Sequence, residues 1–95
     1  MQTGPGTRYW RERIAQPIAL EHRPCHLHQY GLCKFNGAPI RYDLAWPHPM
    51  SYSCDHKVPR NAGGADTYTN ADAAHHRCNC ARHDDPLDEP HTETW

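Results

Sequence analysis

Large aliphatic and aromatic side chains are scarce in this sequence of 95 residues. Hydrophobic residues make up 37% of the chain, and phenylalanine occurs once. A chain this short and this polar buries only a small apolar core, so it needs a further source of stability, such as disulfides, a metal ion or a partner. The length predicts a single domain.

Long apolar runs are missing as well. No stretch approaches the roughly 20 apolar residues that a membrane-spanning helix needs. The first ten residues, MQTGPGTRYW, lack the apolar core of a signal peptide. We therefore expect a soluble, cytoplasmic protein.

The five cysteines are an odd number, which argues against a closed disulfide framework. In a reducing cytoplasm, cysteines that occur together with nine histidines favour zinc ligation. The sequence thus predicts that a metal ion stabilises the small core.

A net excess of positive charge, which is typical of nucleic-acid-binding proteins, is also lacking, since the formal net charge is −1. The charges are nevertheless segregated. Residues 1–42 contain six Lys and Arg against two acids, and residues 83–95 contain five acids with no Lys or Arg. The basic first part could contact phosphates, although an ordinary solvated surface would look similar.

The first half of the chain is predicted to begin with a disordered segment, residues 1–6, followed by a helix over residues 7–22. Trp10, Ile14 and Ile18 share one face of that helix. Pro17 should kink or split it. A turn-rich segment follows, and residues 39–44 are expected to form a short strand.

The second half is predicted to run from strand to loop to helix. Residues 51–58 have the composition of a short strand, and Gly63-Gly64 permit a sharp turn in the loop after it. Asn70 is a good N-cap for a helix over residues 71–82. The acidic residues 84–95 are expected to be disordered.

Three features of this second half suit phosphodiester hydrolysis. They are Asp55-His56, Asn70, and the segment HHRCN at residues 75–79. Histidine can accept a proton from water near neutral pH. A hard divalent ion, which would neutralise charge on the phosphate, prefers carboxylate and amide oxygens.

The segments CDHKVPRNAGGADTYTN and AHHRCN resemble the HNH endonuclease family, and the resemblance covers roughly residues 24–83. Within this family, the chain resembles in particular small phage and actinobacterial members. The resemblance implies an α+β fold of the ββα-metal type, a His-Me finger in which a two-stranded ribbon and a helix hold one catalytic divalent ion, Mg²⁺ or Mn²⁺. We expect this domain to span residues 7–83.

The resemblance also implies roles for particular residues. His56 matches the general base and Asp55 a metal ligand, while Asn70 matches the residue that orients the base or ties down the loop. The third position of the motif is either Asn79, as a second metal ligand, or His75. We favour Asn79.

The same resemblance implies a second, structural metal site. His75 and Cys78 would be two zinc ligands, with partners in the first cysteine-histidine cluster. The family usually has a C-x2-C pair there, and this sequence departs from that pattern. We favour Cys25 with Cys33, because a thiolate is a strong zinc ligand, while His28 or Cys80 could replace Cys33.

DNA is the partner that the resemblance implies, in a bacterial or phage-infected host cell. The resemblance also allows a role within a larger assembly, such as a phage packaging complex or another nuclease complex. The candidates for phosphate contact are Arg77 and Arg82, which flank Asn79, together with Lys57 and Arg60.

Two other interpretations differ in what they require. A non-catalytic zinc-finger-like nucleic-acid-binding module needs the Cys/His cluster but not His56. A disulfide-stapled secreted domain would lose its structure in reductant and bind no zinc.

Overall fold

The computed structural model describes residues 6–83 together with Asp85 and Leu87. The disorder predicted for residues 1–6 and 84–95 therefore falls almost entirely outside the described residues. Among the described residues, no helix combines the length and the apolarity needed to cross a membrane.

The N-terminal helical segment confirms the predicted helix, with an unexpected change of geometry in its middle. Helix α1 (Gly6–Tyr9) and helix α2 (Gln16–Leu20) are joined by a π-helical segment, Trp10–Ala15. Pro17 lies in the first turn of α2, where a missing N–H is tolerated, and the wider π-helical turns precede it. The proline therefore interrupts the regular α-helix without ending the helical path.

The segment after α2 places two apolar side chains in the core. A 3₁₀ helix covers His26–Tyr30, and its Leu27 is fully buried. The expectation of a strand at residues 39–44 is wrong, because this segment forms only an isolated bridge between Arg41 and Ser51. Pro39 has no N–H to donate, and Ile40 turns into the core instead.

The sheet consists of two antiparallel strands. Strand β1 (Tyr52–His56) confirms the strand predicted there, and strand β2 (Ala71–His75) pairs with it so that Asp55 lies opposite Asp72. Residues 71–75 were expected to be helical, and this expectation is wrong. Alanine favours helices, but the fully buried alanines of β2 pack against the core, and such tertiary contacts override a weak local preference.

Helix α3 (His76–Arg82) follows β2 directly, five residues later than the sequence suggested. Asn70 is therefore not its N-cap. The order β1, β2, α3 confirms the small α+β, ββα architecture. The core between these elements and α2 is formed mainly by Ile14, Ile18, Leu27, Ile40, Ala71, Ala73, Ala74, Cys25 and Cys78.

Candidate catalytic pocket and metal cluster

A pocket of about 200 Å³ lies between the end of β1 and helix α3. Five of the residues singled out from the sequence line it: Asp55, His56 and Asn79 of the motif, together with Arg60 and Arg82. Asn70 and His75, the other motif positions, do not line it. The pocket therefore collects a carboxylate, an imidazole and an amide, which are the groups that metal-assisted hydrolysis requires.

Asp55 is buried and held by two donors. Its Oδ2 atom lies 2.6 Å from Nη1 of Arg82 and 2.9 Å from Nε2 of His26. His26 is itself buried, and its Nδ1 has no hydrogen-bond partner within the described residues. Because both donors bind Oδ2, they fix the direction of the carboxylate and leave Oδ1 for another partner.

Arg82 has an internal position that the sequence did not suggest. We expected it to contact phosphate, but it is only 3% exposed. Besides Asp55, its guanidinium donates to the carbonyl oxygens of His56, Lys57 and Asp85. The side chain therefore links the end of helix α3 to the end of strand β1, and its burial leaves it unavailable for the DNA contact expected from the sequence.

Asn79 projects from α3 toward β1. Its Nδ2 donates to Oγ of Ser53 over 2.8 Å. Since that bond uses the amide nitrogen, the side-chain carbonyl oxygen of Asn79 is left to accept a cation or a donor.

His56 is enclosed by two residues that the sequence analysis did not single out for this site. Its Nε2 lies 2.7 Å from Oδ1 of Asp66. Trp10 stacks on the imidazole, with ring centroids 3.9 Å apart and planes inclined by 7°. Nothing local in the sequence links these three residues, because 46 positions separate Trp10 from His56 and Asp66 lies in the following loop.

Asn70 ties that loop to the end of β1. Its side-chain oxygen accepts from the Val58 N–H over 2.9 Å, and its Nδ2 donates to the carbonyls of Val58 and Ala65, each over 3.0 Å. Gly64 packs directly against the backbone of Val58, because a Cβ atom on this glycine would lie 1.7 Å from the Val58 carbonyl oxygen. Asn70 therefore acts on the loop, one of the two roles expected for it.

A cluster of three cysteines and one histidine connects the segment before β1 with the end of β2 and helix α3. The ligand atoms of Cys25, Cys33, His75 and Cys78 all lie within 4.8 Å of one another. The sulfurs of Cys33 and Cys78 are 3.8 Å apart, and each lies 3.6 Å from Nδ1 of His75. A tetrahedral zinc ion, with bonds of about 2.3 Å to sulfur and about 2.0 Å to nitrogen, requires nearly the same spacings.

The surroundings of the cluster also suit a cation. Backbone N–H groups of Lys34 and Gly37 donate to the sulfurs of Cys78 and Cys33, respectively. Nε2 of His75 lies 3.3 Å from the Pro39 carbonyl. That contact places the proton on Nε2 and leaves the Nδ1 lone pair facing the sulfurs, as is usual for metal-bound histidine.

Burial raises the pKa of the Cys25 thiol to about 12. Without a cation this thiol would remain protonated at neutral pH, whereas a bound metal ion favours the thiolate. The cluster is thus compatible with zinc.

The alternative ligands lie outside the cluster. His28 is exposed, and its Nε2 lies 2.9 Å from the position that a Cβ on Gly37 would take. Cys80 is exposed on α3, 3.7 Å from Nε2 of His76. The structure therefore brings Cys33 to the site, rather than either of these.

The remaining basic residues suggested for DNA contact differ in exposure. Arg77 is exposed on α3, and Lys57 is partly buried at the end of β1. Arg60 is about half exposed and forms an ion pair with Asp66.

A two-stranded sheet and a helix around an Asp-His-Asn pocket, next to a Cys/His cluster, define the class of small metal-binding ββα fingers. The model of the family described as HNH endonuclease matches residues 33–85, more than half of the chain, and the chain belongs to this family. Comparison with curated proteins and with solved structures gave no significant match. Membership of the family supports a nuclease-type function.

Proposed function

We propose that this protein is a metal-dependent endonuclease that hydrolyses DNA phosphodiester bonds, with His56 as the general base. The observation that carries the proposal is the common lining of one small pocket by His56, Asp55 and Asn79. His56 would accept a proton from the attacking water, as a group that can change charge near neutral pH is suited to do.

Asp55 and Asn79 are the residues that would hold the catalytic divalent ion. The carboxylate has Oδ1 available and the amide has its carbonyl oxygen available, because the other polar atom of each side chain already has a partner. Such an oxygen-donor set fits Mg²⁺ or Mn²⁺. The ion would supply positive charge to the phosphate and to the leaving oxygen.

The second metal ion in the proposal is zinc, bound by Cys25, Cys33, His75 and Cys78. This assignment is supported by the mutual spacing of the ligand atoms and by the contact between His75 and the Pro39 carbonyl. Its role would be structural, since four protein ligands leave no open position for substrate.

DNA would approach the pocket past the exposed basic side chains around it. Arg77 on α3 and Arg60 are exposed, and Lys57, at the end of β1, is partly exposed. Side chains of this type contact phosphates without reading the base sequence, so we expect cleavage with little sequence preference.

The test is cleavage of a supercoiled plasmid by the zinc-loaded protein with added Mg²⁺ or Mn²⁺. We expect wild-type protein to produce nicked or linear DNA, and His56→Ala to lower the rate by about 10²–10⁴-fold, the range attributed to a general base. His28→Ala is the matched control: it removes an exposed histidine near the cluster and should leave both cleavage and zinc content unchanged.

Equal cleavage by wild type and His56→Ala would refute the assignment of His56. If neither protein cleaves while the fold, the zinc and DNA binding are intact, the result favours a binding module or a nuclease that requires a larger assembly, such as a packaging complex.

A further inference from the structure

The loop that follows β1 provides His56 with a carboxylate partner. Oδ1 of Asp66 is 2.7 Å from Nε2 of His56, and the His56 side chain is only 15% exposed. Trp10 stacks on the imidazole in nearly parallel orientation. Rotation of the ring is therefore opposed by a hydrogen bond at one edge and by an indole on one face.

Asp66 is in turn held by Arg60. Nε of Arg60 lies 2.9 Å from Oδ1 of Asp66, and Nη2 lies 3.3 Å from Oδ2. The guanidinium is also 5.8 Å from the Trp10 ring centroid. These four side chains form a connected group at the edge of the catalytic pocket.

The hydrogen bonds from Arg60 and His56 lower the pKa of Asp66, so the carboxylate is ionised at neutral pH. An ionised carboxylate only accepts hydrogen bonds. Nε2 of His56 must therefore be the donor, and in a neutral imidazole the lone pair then lies on Nδ1.

We propose that Asp66 is a positioning residue for the catalytic base: it selects the tautomer of His56 that carries its proton on Nε2, so that Nδ1 accepts the proton of the attacking water. The inference rests on the proposed endonuclease function. In the step concerned, the water oxygen forms a bond to phosphorus while its proton moves to Nδ1. The bond from phosphorus to the leaving sugar oxygen breaks, and that oxygen takes a proton from solvent.

A purely structural role for Asp66 is the alternative. The loop has an independent attachment, however, because Asn70 bonds to Val58, just before the loop, and to Ala65 within it. Loss of the Asp66 carboxylate should therefore leave the loop in place and change chiefly the orientation and tautomer of His56. This distinction makes the proposal testable apart from stability.

The experiment compares wild type with Asp66→Asn and Asp66→Glu in the zinc-loaded full chain. The first readout is the ¹⁵N chemical shift of each ring nitrogen of His56, measured by NMR without DNA or catalytic metal. We expect a predominant Nε2–H tautomer in wild type and in Asp66→Glu, and a mixture in Asp66→Asn, because an amide can donate as well as accept.

The second readout is cleavage of a DNA duplex under steady-state conditions. Asp66→Asn should lower kcat by roughly 10- to 100-fold, the scale seen when a supporting partner of a catalytic group is removed, while KM changes by less than about twofold. Asp66→Glu should restore a large part of kcat. Asp43→Asn is the matched control, because Asp43 forms an exposed ion pair with Arg41 and should change neither readout.

An unchanged tautomer in Asp66→Asn overturns the proposal, whatever its activity. A changed tautomer with unchanged kcat, or an effect confined to KM, also overturns it. If wild type itself does not cleave, the proposed function fails, and the NMR comparison alone decides whether Asp66 orients His56. Zinc content and the thermal unfolding midpoint verify that each variant is folded. If Asp66→Asn does not fold, the comparison of wild type with Asp66→Glu takes its place.

Discussion

At the scale of single residues, the two arginines of helix α3 have opposite environments. Arg82 is buried against Asp55, whereas Arg77 is exposed. Replacing Arg82 with Met leaves the Asp55 carboxylate buried with one donor fewer, and removing one partner of a buried ion pair typically costs about 3–5 kcal/mol. We expect a loss of this size in the free energy of unfolding, measured by urea denaturation of the zinc-loaded protein.

Arg77→Ala is the control for this substitution. Its free energy of unfolding should stay within about 0.5 kcal/mol of wild type. Its DNA dissociation constant should rise, and the slope of log affinity against log salt should fall by about 1, as expected for one lost phosphate contact. Similar destabilisation by the two substitutions would contradict the internal role of Arg82.

Asn70 offers a second prediction at this scale. Asn70→Ala removes its three hydrogen bonds to Val58 and Ala65 and should destabilise the protein by about 1–3 kcal/mol, because backbone groups lose their partners. Thermal or urea unfolding measures the change. The neighbouring exposed Thr69→Ala should be nearly neutral, and a neutral Asn70→Ala would mean that the loop is held by other contacts.

Some residues of the site could be proposed from the sequence and others could not. Asp55, His56 and Asn79 belong to a short, ordered motif, and Cys25 is prominent as a cysteine. His26 and Asp66 have no such signal, because their contacts with Asp55 and His56 exist only after distant segments meet. The sequence gives the residue types of a site more readily than the hydrogen bonds that orient them.

At the scale of secondary-structure elements, strand β2 shows why the local sequence pattern is insufficient to predict secondary structure. Its residues ADAAH contain three alanines and continue without a break into helix α3, so a single longer helix was the natural prediction. The pairing partner, β1, lies in a separate part of the sequence. Small side chains are useful here because they let the sheet lie close to the core, and this benefit is not visible in a local window.

The loop between β1 and β2 depends on the close approach of Gly64 to Val58. Gly64→Ala would place its Cβ 1.7 Å from a backbone oxygen, so the loop backbone must move. We expect destabilisation of about 3 kcal/mol, at the upper end for overpacking, together with lower cleavage activity because Asp66 lies in the same loop. Urea denaturation and plasmid cleavage test the two parts of this expectation.

Gly63→Ala provides the comparison. Gly63 has a φ of 91° but no atom within 4 Å of an added Cβ, so its substitution costs only the backbone strain of about 1–2 kcal/mol. An equal effect at the two glycines would show that steric contact with Val58 does not determine the loop conformation.

At the scale of the whole molecule, the core is small, and we expect the proposed zinc ion to be essential for folding. Structural zinc sites contribute about 10–16 kcal/mol, which is comparable to or larger than the total stability of a typical domain. Removing zinc with a strong chelator should therefore unfold the chain, measured by circular dichroism, and Mg²⁺ should not restore the fold because it prefers oxygen ligands.

Substituting the two cysteines of α3 separately tests whether stability depends on the proposed zinc ligands or on any cysteine thiol. Cys78→Ser should lower zinc content and stability, whereas Cys80→Ser should retain one zinc ion and the wild-type unfolding midpoint, because Cys80 is exposed and outside the cluster. Loss of zinc from Cys80→Ser but not from Cys78→Ser would refute the ligand set.

The position of the cluster within the chain has a consequence for proteolysis. Two of its members, Cys25 and Cys33, precede β1, and the other two, His75 and Cys78, follow the loop at residues 59–69. A protease that cuts this loop once would produce two fragments that remain joined by the proposed zinc ion and by the β1–β2 pairing. They should migrate as one species under native conditions and separate only when the metal is removed, so the nicked protein would behave as a complex of two complementary halves.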